Sequence, residues 1–189
     1  MFILGLNFNA LNYGFSSIDF KHYLFKTQTK PYSSAMLFGF GFSGTYNFKQ
    51  SPLFLGFDLN FNNGSLNTKW DIYGFQFENT NNVNILKFKF PIGFYSASKN
   101  YIVQFGFTPQ VWSIKFSGDN GYSSGSNIGF GFLGNLLFSI SAQTFLGIGM
   151  FYDYVPSITT TFSEDNNLKV IPNNNQSFGF SFNLSFTIK

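Results

Sequence analysis

Few residues in this chain carry reactive chemistry, and their types and spacing limit what they could do. The only histidine is His22. With Asp71 and a nearby serine it could in principle make a nucleophile activated by a base. No spacing supports that grouping, and a histidine in a long polar connector is ordinarily just solvated. Glu164-Asp165 is an isolated acidic pair in an Asn-rich segment and reads as a solvated loop tip. Zero cysteines exclude disulfides, thiolate metal sites and Cys nucleophiles, and one histidine leaves no basis for a metal site. The GxG pairs Gly39/Gly41, Gly129/Gly131 and Gly147/Gly149 lack the following helix and Lys-Ser/Thr that a phosphate loop needs. Their spacing of two marks small positions on one face of a strand.

The more informative charges are Asp58, Lys87, Lys89 and Asp153. Each falls on the small-residue face of an alternating segment. If that face turns inward, the charges must be paired or hydrated. The expectation is that Asp58 pairs with Lys87 or Lys89 on the neighbouring strand, with Asn60, Gln104, Gln110 and Asn135 completing a polar network around them and Asp153.

The elements that must position these groups are strands. Alternation of large apolar with small or polar residues recurs in eight segments: Phe2–Ala10, Met36–Phe48, Leu53–Asn62, Leu86–Phe94, Tyr101–Phe116, Ile128–Ser139, Leu146–Tyr154 and Phe178–Ile188. In the fifth, the apolar phase shifts by one just after Pro109, so that Trp112, Ile114 and Phe116 take over the apolar face. Such a slip predicts a β-bulge. Short connectors (Lys49–Pro52, Ala97–Asn100, Ser141–Gln143) alternate with long ones (Gly14–Ser34, Lys69–Asn82, Gly118–Asn127, Thr161–Asn175). Short turns at one rim and long polar connectors at the other are the up-and-down pattern of outer-membrane barrels. Ile18–Phe25 and Ser65–Phe77 also have strand-like composition. Counting both would give ten strands; treating them as outward extensions of hairpins gives eight.

Composition decides which face meets what. The 189 residues suit one domain. Charged residues are only 10% against aromatics at 22%, where ordinary soluble domains carry about 25% charge. No run approaches the roughly 18 consecutive apolar residues of a transmembrane helix, so the apolar residues are interleaved. An eight-stranded barrel encloses room only for its own inward side chains or one small ligand. The apolar faces hold most of the 30 Phe, too much volume for that bore. The Gly, Asn, Ser and Thr of the opposite faces fit it. The apolar face therefore looks at lipid, and the prediction is one eight-stranded antiparallel up-and-down transmembrane β-barrel over residues 1–189. Tyr46, Tyr101, Trp112, Tyr152 and Tyr154 fall near strand ends, where interfacial aromatics sit.

Net charge is +3 with every basic residue a lysine. The lysines are scattered and there is no arginine, so a nucleic-acid surface is not expected. No basic segment, apolar segment and small-residue cleavage site precede the alternation that begins at Phe2. Export would thus mean a signal peptide already removed.

Together, Phe38–Phe48, the run Asn84-Ile-Leu-Lys-Phe-Lys-Phe-Pro-Ile-Gly-Phe-Tyr95 leading into Gln104-Phe-Gly-Phe107, and the terminal strand make the chain resemble small outer-membrane β-barrel proteins of Bacteroidota type. These share their architecture with the OmpX and OmpA barrels. The resemblance spans nearly the whole chain and implies outer-membrane location and insertion by the barrel-assembly machinery. Members often end in Phe; this chain departs from them with Phe186-Thr-Ile-Lys189. The family carries no single function. Barrel enzymes of similar size, such as lipid A acylases, deacylases and omptin-like proteases, place His, Ser or acidic residues at the outer rim, which is the only context in which His22 would matter.

The expected role is non-enzymatic and cofactor-free: a structural or surface-interaction protein acting through Phe15–Ser34 and Lys69–Asn82. Membrane lipid and lipopolysaccharide are the expected surroundings. A protein partner could meet the outer loops or the barrel wall. The alternatives are an accessory subunit of a larger secretion or uptake complex and a rim-located lipid-modifying enzyme. The terminal strand Phe178–Ile188 is expected to close the barrel against Phe2–Ala10.

Overall fold

The computed structural model describes residues 1–22, 25–29, 32–72, 75–118, 121–163 and 168–188. Twelve strands follow in order: β1 Phe2–Gly14, β2 Ser17–His22, β3 Phe25–Thr29, β4 Tyr32–Asn47, β5 Leu53–Ile72, β6 Phe75–Lys89, β7 Ile92–Ala97, β8 Tyr101–Gly118, β9 Gly121–Ser139, β10 Thr144–Ser157, β11 Thr160–Phe162 and β12 Lys169–Ile188. Eight walls close into a ring. β1, β4, β5, the pair β6/β7, β8, β9, β10 and β12 follow one another, and β12 pairs back onto β1 from Phe2↔Ile188 to Gly14↔Gln176. Every contact in the ring is antiparallel. β6 and β7 form one wall because the register against β5 runs on across Phe90-Pro91, with the Gly56 N–H donating to the Pro91 carbonyl at 2.8 Å.

The strands are tilted. From Phe2, the ladder steps to Tyr46, Leu55, Ile92, Phe107, Phe132, Tyr152 and Phe178, then returns to β1 at Asn12, ten residues on. Such a stagger closes a barrel whose strands lean about 35–45° from its axis. Closure satisfies the backbone donors and acceptors of the walls and leaves them no edge.

The eight-strand count holds, and the two doubtful pieces are extensions. Ser65–Ile72 is the outer end of β5, and β2 and β3 form a ribbon attached to the outer end of β12. The long connectors themselves differ from expectation, being mostly ladder and hardly loop. β8 and β9 stay paired as far as Gly118↔Gly121, and β5 and β6 as far as Ile72↔Phe75. The walls thus continue as a crown above the apolar belt, where pairing serves the backbone groups better than open loops would.

The expected β-bulge after Pro109 is absent. The β8–β9 register is unbroken from Tyr101↔Phe138 to Gly118↔Gly121 and includes Pro109↔Phe130. The apolar phase shifts because the apolar side changes from outside to inside. Below the shift, Phe105 and Phe107 point out while Gln104, Thr108 and Gln110 are buried; above it, Lys115 points out while Trp112 and Ile114 are buried. The same inversion runs through β1 (Leu6 and Phe8 outside with Asn7 and Asn9 inside, then Asn12 outside with Leu11 and Tyr13 inside). It also runs through β5, where outward Phe57, Leu59 and Phe61 give way to Asn63, Ser65 and Asn67. The outward face is lipid-like over one length of wall and water-like over the next.

The outward positions of β5 offer a test of that boundary. Phe57→Lys, in the middle of the belt, should cost about 2–4 kcal/mol of folding free energy in a bilayer. Ser65→Lys, on the same face of the crown, should change it by less than about 0.5 kcal/mol. Urea titration of folding into lipid vesicles measures both, and equal costs would place the boundary elsewhere.

Candidate functional site

The inward faces build a stack of three layers. At the short-turn rim lie Ile3, Ile102, Leu137 and Phe145, with Phe54 fully buried beside them. The middle layer is polar. The crown layer is apolar, running from Leu11, Tyr13 and Leu37 through Ile85 and Trp112 to Val155 and Ile158.

The middle layer centres on Asp153. Lys87 Nζ lies 2.8 Å from Asp153 Oδ2, and Lys89 Nζ lies 2.8 Å from both carboxylate oxygens. Lys87 also donates to Ser177 Oγ at 2.6 Å, and Ser177 donates to Asp153 at 3.3 Å. Aromatic faces cover the two ammonium groups: Lys87 Nζ sits 4.2 Å from the Trp112 ring centre and Lys89 Nζ 4.3 Å from that of Phe151. Lys87 is 1% exposed and Asp153 fully buried, so each charge is paired within the bore, as a buried charge must be.

Asp58 does not take the place expected of it. Its backbone is in register with Lys89, but both lysines run across the bore to β10. Asp58 instead accepts from Asn7 Nδ2 at 3.1 Å, while Asn9 donates to Asn60. The reason is geometric: a narrow tilted barrel brings facing walls within reach of a long side chain, and Asp153, flanked by Gly131 on the adjacent β9, leaves room for both ammonium groups. With Asp58 ionised, two positive and two negative charges balance in this layer.

Gln104 donates to Thr45 and Asn47 at 3.3 and 3.4 Å and accepts from Asn135 at 3.5 Å. Gln110 is buried at 1% exposure, but among the described residues its amide has no hydrogen-bond partner. A cavity of about 50 Å³ remains below the ion pairs, lined by Asn7, Asp58, Lys89, Gln104 and Asn183 among others.

Of the expected interfacial aromatics, Tyr46 and Tyr101 are exposed near the short-turn rim and Tyr152 and Tyr154 lie near the foot of the crown. The last two donate to Gln176 Oε1 at 3.3 Å and Asn174 Oδ1 at 2.8 Å. Trp112 corrects the expectation: it is fully buried, packed on Tyr13 with ring centres 6.2 Å apart. Its neighbour Tyr13 donates to Asn175 Oδ1 at 2.8 Å. Sequence reasoning missed this Trp112–Tyr13 plug because it read the Trp112 face as continuous with the lipid face. The signal was present in β1, where Asn12 follows Phe8 and Ala10 on the outward side. The side chains of His22 and Asp71, and residues Glu164 and Asp165, lie outside the described residues.

The Lys87–Ser177–Asp153 grouping has the composition of a nucleophile site, but it is closed off on the crown side. Tyr13, Leu37, Val83, Ile85, Trp112 and Val155 are out of reach of a water-sized sphere, so no solvent path runs past them to the ion pairs from the crown.

No protein-family model and no curated protein matches the chain. Solved structures similar in fold include two outer-membrane proteins. One is the outer membrane protein OprG from Pseudomonas aeruginosa, at 13% identity, covering 99% of this chain and 96% of that one with a TM-score of 0.67. The other is Neisserial surface protein A, NspA, at 12% identity, 99% and 97% coverage and a TM-score of 0.58. The fold is that of a small outer-membrane β-barrel. In this outer-membrane barrel fold, the plugged bore is the part that the chain's own inward residues specify.

The ion-pair layer predicts an asymmetric response to mutation. Asp153→Asn strands two buried lysines and should destabilise the barrel by about 3–5 kcal/mol. Asp58→Asn, where an amide oxygen can still accept from Asn7, should cost about 1 kcal/mol. Unfolding free energies in vesicles, or the temperature at which the folded band is lost in detergent gels, would rank them; equal effects would contradict this placement.

Proposed function

We propose that the protein is a non-enzymatic integral β-barrel of a bacterial outer membrane, of Bacteroidota type, with a structural or surface-interaction role carried by its crown. The observation that carries this reading is the inversion of polarity along the strands. An apolar belt rich in Phe requires hydrocarbon around it. The Asn- and Ser-rich wall above it suits the headgroup zone and the aqueous exterior. Asn63 and Asn84, bonded at 2.7 Å, and Asn67 and Thr80, bonded at 2.8 Å, form an uncharged polar ladder there. Lipid and lipopolysaccharide are the proposed surroundings of belt and ladder, and a protein partner would meet the crown.

Two features support a role at the surface over transport or catalysis. The bore is filled in three layers, so it offers no conduit. The Lys87–Ser177–Asp153 grouping is closed off on the crown side. Function on a rigid scaffold concentrates in the elements that project from it, which here are the β2–β3 ribbon and the β5–β6 hairpin.

The absence of native cysteine allows a direct test of orientation. In intact cells a membrane-impermeant maleimide should label Ser65→Cys in the crown and leave Ser98→Cys in the short turn unlabelled until the cells are broken. The reverse pattern, or a chain that fractionates without membranes, would overturn the location. In planar bilayers the purified protein should give no stable open conductance, and a sustained one would contradict the filled bore.

A further inference from the structure

The crown holds a second cavity, separate from the polar layer. It measures about 120 Å³, and Phe15, Ile18, Leu66 and Phe116 supply much of its apolar wall. Thr68, Asn81 and Ser123 also line it, and among the described residues no charged side chain does. Phe15, Ile18, Leu66, Thr68 and Ser123 are each less than a tenth exposed, so half of the described lining is packed core. Among the described residues neither the Thr68 nor the Ser123 hydroxyl has a hydrogen-bond partner, although each can both donate and accept. Its lining residues all stand above the apolar belt, on the outer side of the Trp112–Tyr13 plug.

We infer that this cavity is a binding site for a small uncharged aromatic alcohol, a single ring carrying a hydroxyl. Size sets the ring: a dry apolar cavity of about 150 Å³ takes up benzene, and this one is slightly smaller. Desolvation sets the charge, since an ion would have no counter-charge among the described lining residues. The Thr68 and Ser123 hydroxyls, without a partner among the described residues, set the polar group, because they lose water around a bound ligand and regain a partner only from a ligand that offers one. The plug beneath stops the ligand from passing into the bore, so binding there makes the crown a small-molecule receptor and not an entrance.

The test uses the whole protein in phosphatidylcholine nanodiscs with labelled Ile, Leu and Val methyl groups, titrated with phenol and, separately, benzene. The expected result is saturable shifts confined to the methyls of Ile18, Leu66 and Val170. Leu66→Trp, which fills the space, should raise the midpoint at least tenfold. Thr68→Val combined with Ser123→Ala should weaken phenol at least fivefold and leave benzene unchanged within twofold. Non-saturating shifts shared with Leu6 and Ile148 on the belt would show partition into lipid only and overturn the site. Saturable binding with equal loss of both ligands in the Thr68/Ser123 variant would overturn the assignment of an alcohol.

Discussion

The wall of this molecule is one strand thick, and every other consequence follows from that. A residue in it has one neighbour medium outside and another inside, and alternation in sequence assigns side chains to the two. Along most of the strands the outer medium changes partway, from hydrocarbon to water. Where it changes, the apolar residues move from the outer to the inner face. Lipid solvates Phe8, Phe40 and Phe182 on the outer face of the belt; above it, the wall must make its own apolar core, and Leu11, Leu37 and Trp112 do so. One chain thus combines the inside-out pattern of a membrane barrel with the ordinary pattern of a soluble one.

The bore is the second constraint. Eight strands with this stagger leave a space that side chains can fill, and they fill it with contrasting layers. Apolar packing at both ends separates the middle layer from bulk water, which raises the cost of any unpaired charge there. Lys87, Lys89 and Asp153 meet that cost together, with the Trp112 and Phe151 rings covering the ammonium groups. Inward glycines make this arrangement possible. At Gly131 a side chain would collide with the Asp153 carboxylate and the Tyr152 carbonyl, so the absence of a Cβ leaves Asp153 the room to receive two lysines.

Periodicity made much of the fold legible. The terminal run Phe178–Ile188 shows which residues share a face, and closure of β12 on β1 follows because a transmembrane sheet cannot keep an edge. The positions of Lys49–Pro52, Ala97–Asn100 and Ser141–Gln143 mark one rim. Two things were not legible. After Pro109 the same shift of phase is produced by an inserted residue or by a change of medium, and the sequence of one strand does not tell them apart. Asp58 stands beside Lys89 in the ladder, so neighbour logic favours their pairing.

The sequence by itself determined that this is a closed antiparallel barrel with an apolar exterior, because a period of two and the sheer volume of Phe admit no other placement. Only the tertiary structure decided what fills it. Which groups meet across a bore depends on the stagger of the ring, here ten residues, and on the reach of side chains between walls far apart in sequence. Those distances put Asp153 between two lysines and Trp112 in the plug, and no local pattern encodes them.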